Sequence, residues 1–413
     1  MKVALLVVFL ISAVLAEYTS YDGYTVYSVT PKSQKDLIVL QEIYETEKFD
    51  FWSTMKALDR PTNIMASPEL KELLVSTLEA HKLEYEVLID NVETANAAER
   101  QRQARAPRVP QGRIDFQQYH RYDTILDYVR TLAEQNPDIV TREVYGTSYE
   151  GRELTLLRIN SGSTAGKPTI LIEGGIHARE WIAPAVTLYI IQELVENPNN
   201  RALVENANWI LIPVTNPDGY EYSHTNQRMW RKTRRTGVIC NGVDGNRNFD
   251  HEWGGPGTST SECSEIFIGP YPFSEPECAT LAEVALAEEH IDLYLAMHSY
   301  GQWLLYPWGY TYDPPDNVEE LHQVGVQAAD AIEAVYGTRY VTGNSAALLY
   351  FAAGASDDWF KAIAGAPLSY TVELPGGGNQ GFDLPASRIQ PVVTETWPGI
   401  VAFYNHVVSN YRK

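Results

Sequence analysis

Cysteine is scarce in this chain: there are three among 413 residues. The odd count means that in an oxidising compartment two can pair and one is left over. Cys240 and Cys263 flank a Gly- and Asn-rich loop region and are read as the pair, which leaves Cys278 as a free and buried thiol. Positive charge is short as well. Lys and Arg number 32 against 53 for Asp and Glu, a formal net charge of -21. Such a surface repels phosphate backbones and excludes nucleic acid as a partner. It favours basic substrates only weakly, because salt screens surface charge. The sequence has no Asn-x-Ser/Thr sequon, so no N-linked glycan is expected. Past the N-terminus no apolar run reaches membrane-spanning length, which excludes a membrane-embedded chain and leaves a soluble monomer as the expectation.

What is present is ordinary globular material, 44% hydrophobic, in a chain long enough for a large enzyme core. Lys2, the apolar run Val3 to Val14 and then Leu15-Ala16 read as a secretory signal cleaved after Ala16. A secreted, extracellular protein follows as the expectation.

Residues 17 to about 90 carry a compact pattern. Strand-like segments at Tyr24–Val29, Phe49–Trp52, Asn63–Ala66 and Glu84–Ile89 alternate with helical spacing at Ser33–Tyr44 and Ser67–His81. Ser67 is placed to cap the second helix, with Pro68 in its first position. The order βαββαβ predicts a ferredoxin-like α+β unit. Next comes the arginine-rich stretch Glu99 to Arg108, read as a solvated linker open to a trypsin-like protease. The boundary is placed at Arg108, giving residues 1–16, 17–108 and 109–413 as signal, prodomain and catalytic domain. In the last of these, strands at Leu154–Ile159, Thr169–Ile172, Trp209–Pro213, Ile291–Met297, Leu304–Tyr306 and Ser369–Glu373 alternate with helices. The helices are predicted at Tyr122–Gln135, Ile182–Val195, Glu277–Glu288, Glu319–Val335 and Thr394–Val408. An α/β fold follows, a mixed twisted sheet covered by helices.

The chemistry gathers on Gly174-Gly175-Ile176-His177-Ala178-Arg179-Glu180-Trp181. His177 and Glu180 are three apart at the end of a strand, so both side chains can project the same way from a tight turn or a first helical turn. Imidazole and carboxylate are two of the three protein ligands of a His₂Glu catalytic zinc site. Spacing alone is weak: His81 and Glu84 share it, in a charged segment without glycine, and read as solvated. His298 supplies the missing imidazole, because it too ends an apolar strand, where open α/β sheets gather their sites.

With these motifs in place the chain resembles the secreted pancreatic-type zinc metallocarboxypeptidases, in proenzyme form, over essentially its whole length. The resemblance implies that His177, Glu180 and His298 bind one Zn²⁺; the family is itself a standard example of that ligand set. It implies that Asp244 orients a ligating imidazole. Asn246 and Arg247 hold the substrate's terminal carboxylate, and Arg228 lines a substrate subsite. Arg231 meets the oxyanion. Glu373 is the general base and then the acid. Tyr350 caps bound substrate, with Gly343 and Gly354 permitting loop movement. Lys232 and Arg235, beside Arg231, read as solvated. Asp357, in Ala355-Ser356-Asp357-Asp358-Trp359, falls where B-type members carry an aspartate that pairs with Lys or Arg; A-type members carry an apolar residue there. Asp358 is common to both types.

The expected function is a secreted zinc carboxypeptidase zymogen, activated by a trypsin-like protease and removing C-terminal Lys or Arg from peptides and proteins. Proteinaceous carboxypeptidase inhibitors are expected partners. Three rivals differ in a testable way. An A-like enzyme would prefer apolar C-termini. An aminopeptidase would have no use for Asn246 and Arg247. A non-catalytic protein of the same fold would be expected to lose a ligand or the base, and all are present.

Overall fold

The computed structural model describes residues 18–53, 58–377 and 381–411. The expected signal at residues 1–16 lies outside them. The N-terminal unit contains β1 (Thr25–Thr30), α1 (Gln34–Glu45), β2 (Asp50–Phe51), β3 (Thr62–Ala66), α2 (Lys71–His81), β4 (Glu84–Ile89) and α3 (Val92–Arg105). Its antiparallel sheet runs β2-β3-β1-β4, as the ferredoxin-like order requires. Local chemistry starts α1 where expected: Ser33 and Asp36 form a reciprocal capping box. It does not start α2 at Ser67. That residue opens a turn instead, its carbonyl accepting from the Leu70 and Lys71 amides, and the helix begins at Lys71.

The arginine stretch also departs from expectation. Most of it is not a linker but the second half of α3. Asn91 caps the helix through the Glu93 amide, and Glu99 is buried while pairing with Arg102 at 2.8 Å. Arg100 pairs with Glu93 and lies over the Tyr18 ring. Partners three and seven residues apart on one helix turn a charged run into ordered structure.

The remainder contains α4 (Tyr122–Gln135), β5 (Val140–Thr147), β6 (Glu153–Ile159), β7 (Thr169–Gly174), α5 (Ile182–Val195), α6 (Arg201–Asn206), β8 (Asn208–Ile212) and α7 (Pro217–Thr225). It continues with α8 (Pro276–Ala287), β9 (Leu293–Ser299), β10 (Trp303–Tyr306), α9 (Val318–Tyr336), β11 (Val341–Asn344), α10 (Ser345–Leu348), α11 (Ser356–Ala362), β12 (Leu368–Leu374) and α12 (Ile389–Asn410). The mixed sheet runs β11-β10-β12-β9-β7-β8-β6-β5. Its centre, β12-β9-β7-β8, is parallel and buried on both faces, which is why these strands read as continuous apolar runs. One face carries Ile170, Ile172, Leu293, Leu295 and Met297 against α4, α5, α9 and α12. The other carries Leu171, Tyr294 and Ala296 against α8 and α11. The Cys240–Cys263 disulfide is formed and Cys278 is a buried free thiol, as read from the sequence.

Two apolar layers hold the N-terminal unit. Tyr27, Val29 and Ile64 pack under its own helices. From the opposite face of its sheet, Val26, Met65 and Trp52 pack with Met229 and Phe382 of the larger unit. Strand alternation thus gives one sheet two buried faces, the second facing the large unit.

Candidate metal centre and substrate cleft

β7 ends at Gly174, and Gly175 takes φ +74°, a left-handed turn that favours glycine. The chain then folds into a tight turn, the Glu180 amide reaching the His177 carbonyl at 3.3 Å, before α5 starts at Ile182. His177 and Glu180 therefore project from a turn and not from a helix. His298 is the penultimate residue of β9, beside Glu373 in β12 by parallel register. The parallel strands deliver all four residues to one end of the sheet.

The three expected ligands converge. His177 Nδ1 lies 2.8 Å from Glu180 Oε1, His298 Nδ1 lies 3.1 Å from Glu180 Oε2, and the two Nδ1 atoms are 3.0 Å apart. All three residues are buried. Each imidazole turns the same nitrogen inward, and a carboxylate completes the set. Nitrogen and oxygen donors in this number suit a zinc ion with an open position. By contrast His81 stays exposed at the end of α2.

The electrostatics draw positive charge into this point. Burial works against ionisation of Glu180, but the His177 and His298 rings hold its carboxyl below the ordinary value. The two imidazoles respond oppositely. Burial lowers both, and Arg231 lowers His177 further, whereas Glu180 pushes His298 up to about 9. Behind His177, Asp244 Oδ1 lies 3.0 Å from Nε2, and Arg231 donates to Asp244 Oδ2 at 2.9 Å. Despite its burial, Asp244 is held well below the usual carboxylate range by Arg231 and then by His177.

Glu373 is different. Burial pushes it up to about 8, His298 pulls it down and Glu180 raises it again. Its Oε2 is enclosed without a hydrogen-bond partner. It faces a cleft also lined by His177, Glu180, Arg231, Asn246, Arg247, His298, Tyr350 and Asp357. Arg247 spends Nε on the Gly257 carbonyl and Nη1 on the Asn246 carbonyl, while Nη2 is buried with no partner. A spare guanidinium donor at the edge of a cleft is suited to a carboxylate.

The neighbouring aspartates divide cleanly. Asp358 accepts the Gly309 amide at 2.9 Å on both oxygens and does not line the cleft. Asp357, in the first turn of α11, lines it together with Leu305, Gly309, Ser345, Leu349 and Thr371. Burial raises Asp357 while His298 opposes the rise. Among the described residues no cation lies within ion-pair distance of it.

Three expectations change. Arg228 does not line the cleft: its guanidinium stacks over Trp181 and donates to the Arg179 and Phe382 carbonyls at 2.8 and 2.7 Å. Lys232 is buried, its ammonium donating to the Glu262 and Ser264 carbonyls, and Arg235 is half-buried against Glu275 at 2.7 Å. The acceptors of these basic residues are backbone carbonyls and a carboxylate 40 residues away, which a local reading of the sequence does not show. Gly343 sits inside β11, and a Cβ at Gly354, where φ is +73°, would meet the Arg247 carbonyl oxygen at 2.6 Å. Close packing alone accounts for a glycine at both positions.

Arg179 is the residue that sequence reasoning missed. It is buried beside the ligands, lines the cleft, and binds Asp50 of the N-terminal unit at 2.7 Å. Its place inside the His177–Glu180 motif was the available signal; its partner, 129 residues away, was not. Phe51, Trp52 and Ser53, the residues after Asp50, line the cleft, so the N-terminal unit roofs it.

Residues 125–399 match the zinc carboxypeptidase family, and residues 27–99 match the carboxypeptidase activation peptide. A carboxypeptidase B from Astacus astacus is 44% identical over 303 residues, 72% of this chain and all of the relative. The crystal structure of a carboxypeptidase A from Helicoverpa armigera superposes with a TM-score of 0.90 at 33% identity, covering 95% of this chain and 99% of that one. Bovine thrombin-activatable fibrinolysis inhibitor, solved in complex with tick carboxypeptidase inhibitor, is 37% identical with a TM-score of 0.68, covering 71% of this chain and 99% of that one. The chain therefore belongs to the zinc carboxypeptidases, and carries the activation peptide of their zymogens.

Proposed function

We propose that this zymogen is secreted and, once cut, removes C-terminal Lys or Arg. The observation that carries the specificity is Asp357: a buried carboxylate facing the cleft, with no cation among the described residues at ion-pair distance. Burying a charge is costly unless it is paired, and a substrate's Lys or Arg is the partner that fits. The reaction uses residues already in position. Arg247 Nη2 and Asn246 hold the terminal carboxylate, which restricts cleavage to the last bond. Tyr350, 5.6 Å from the Arg247 guanidinium by its ring, covers the bound residue. The chemistry that zinc supplies, held by His177, Glu180 and His298, is Lewis-acid polarisation of the carbonyl and acidification of water. Glu373 takes a proton from the attacking water and passes it to the leaving amine. Arg231 compensates the charge that grows on the carbonyl oxygen. Arg228 holds the neighbouring backbone and so shapes the cleft at one remove.

Activation is assigned to the bond after Arg108. Arg100 and Arg102 are ion-paired within α3, and Arg105 is its last residue. Arg113 follows a buried Gly112 and pairs with Glu196 at 3.7 Å. Arg108 is exposed between Pro107 and Pro110 outside any helix or strand. Proline fixes φ and biases the residue before it to extended backbone, the form a protease cleft accepts. Secretion is supported by the N-terminal apolar segment and the disulfide; no described helix is long and apolar enough to cross a membrane. Proteinaceous carboxypeptidase inhibitors are proposed as partners of the open cleft.

The test is direct. After limited trypsin treatment, the large fragment should begin at Val109 and acquire activity. Peptides ending in Arg and Lys should then be cleaved in preference to those ending in Leu and Phe. Preference for Leu and Phe would assign the chain to the A type, and full activity before any cut would remove the zymogen reading.

A further inference from the structure

Arg247 and Tyr350, the two groups assigned to the end of a bound substrate, share one support. Arg247 donates from Nε to the Gly257 carbonyl at 3.0 Å and from Nη1 to the Asn246 carbonyl at 2.7 Å. The second bond goes to the preceding residue and so follows the arginine's own backbone. One bond leaves a guanidinium free to swing about it, whereas two fix its plane. Gly257 therefore decides which edge of the planar fork is spare, and the spare donor is Nη2.

Gly257 also meets the chain that follows Tyr350, whose ring stands 5.6 Å from the Arg247 guanidinium. It takes φ +79°, and a Cβ built on it would lie 1.5 Å from the Phe351 carbonyl oxygen and 2.1 Å from the carbonyl carbon. Both of those atoms are backbone, so no change of rotamer relieves the overlap. Around this contact the Ala353 amide donates to the Pro256 carbonyl at 3.0 Å, and the Thr258 hydroxyl closes the turn on the Gly255 carbonyl at 2.7 Å. The Ala352 amide is held by the Gly309 carbonyl at 2.8 Å. The backbone after Tyr350 thus rests on the turn 255–258, and a carbonyl of the same turn aims Arg247. Residues 255–258 do not themselves line the cleft.

We propose that Gly257 is the positioning residue for the carboxylate end of the cleft: its carbonyl orients Arg247, and its bare Cα lets the chain after Tyr350 pack against the same turn. The inference rests on the reading of Arg247 as the group that binds the substrate's terminal carboxylate. A side chain at position 257 displaces either the Gly257 carbonyl or the Phe351 backbone, and Arg247 or Tyr350 moves with it. The loss should therefore fall on ligands that carry a carboxylate.

The test uses the full chain, zinc-loaded and activated by limited trypsin treatment, with two competitive inhibitors of peptide cleavage. Arginine is one, and agmatine, the same molecule without its carboxylate, is the other. If the native protein prefers Leu and Phe, the pair is phenylalanine and phenethylamine. In Gly257→Ala the Ki of the amino acid should rise by about tenfold, the order expected when one hydrogen bond to a charged group is lost. The Ki of the amine should stay at the native value. KM for the peptide should rise with the first of these, and kcat should change less. A merely structural role would weaken both inhibitors alike, and that result overturns the inference, as does an unchanged Ki for the amino acid. The melting temperature identifies a variant that does not fold. Should Gly257→Ala be unfolded, Pro256→Gly, which loosens the same turn, decides: a selective loss of the amino acid supports the inference and its absence overturns it. Arg247→Gln runs alongside. If that variant binds the amino acid as the native protein does, the reading of Arg247 has failed and takes this inference with it. If Arg247→Gln weakens the amino acid and Gly257→Ala does not, the inference alone has failed.

Discussion

The two ends of the cleft treat buried carboxylates in opposite ways. At the metal end, Glu180 sits between two imidazoles, and Asp244 between an imidazole and the Arg231 guanidinium; both are held in the charged form despite burial. At the pocket end, no cation among the described residues pairs with Asp357, and Glu373, also in the cleft, has an unpartnered oxygen. Burial costs are similar, so the difference is one of supply. The chain provides counter-charge where a group must stay fixed. It withholds it where a proton moves or where the substrate brings the charge. A carboxylate left unpaired inside a cleft is therefore the more informative one about reaction and specificity.

The comparison breaks most visibly at Glu373. Glu373→Gln keeps the shape but cannot accept a proton, so turnover should fall by about 10⁴-fold, the upper end for a general base. Zinc content should be unchanged, because Glu373 is not one of the three converging donors. Near-native turnover with zinc in place would remove the assigned role. The residue's pH behaviour follows from the same isolation. Burial pushes its carboxyl up to about 8, so activity should rise with pH as that proton leaves. A bound cation nearby moves the rise to lower pH.

Asp357 comes next. Removing one partner of a desolvated charge pair costs on the order of 2–5 kcal/mol, or roughly 30-fold to several-thousand-fold in kcat/KM. Asp357→Ile should lose that factor for C-terminal Arg and Lys and gain on Leu and Phe, at constant zinc content. If all four substrates change equally, Asp357 is not the floor of the pocket and the B-type assignment goes with it.

The paired end should respond through the metal. Asp244→Asn removes the charge behind His177, and the zinc Kd should rise by about 10- to 100-fold, with a smaller effect on substrate preference. A change of preference without a change of zinc affinity would erase the distinction between the two ends.

Much of this contrast was legible in the sequence, and the reason is local. His177 with Glu180, and His298 at its strand end, announce themselves because the strands that carry them are apolar and buried on both faces. Helix α4 was read to the residue, since its apolar positions repeat at helical spacing. β5 was missed because its burial is patchy, and α11 because it is one short turn-rich segment. What could not be read is who holds whom across distance. Lys232 looked solvated and is capped by carbonyls 30 and 32 residues away; Arg228 looked like a substrate contact and grips the Phe382 carbonyl. Arg179 gave no hint of Asp50. Basic residues carry their charge in the sequence, while their acceptors are set by the fold.

A last variant separates isolation from function. Glu277, in the first turn of α8, is buried, has an unpartnered Oε2, and lies outside the cleft. Burial pushes its carboxyl up to about 8 from an ordinary 4.5, opposed by the amide of Tyr149. The folded protein therefore keeps a proton that the unfolded chain releases. Its stability contribution is complete below pH 4.5 and is lost progressively as pH rises to about 8. Glu277→Gln imitates the protonated form at every pH, so the variant should gain on the native protein across that window, by an amount on the order of a few kcal/mol at most. At roughly 2–4 °C per kcal/mol or less for a chain this long, the difference in Tm between variant and native should grow by several degrees from pH 5 to pH 8. Zinc affinity and kcat/KM should not move, because no substrate or metal contact is involved. Equal Tm differences at both pH values would mean that Glu277 stays charged in the fold. Burial without a partner would then no longer suffice to explain why Glu373 holds its proton, and the account of the cleft's two ends would need a cause specific to the site.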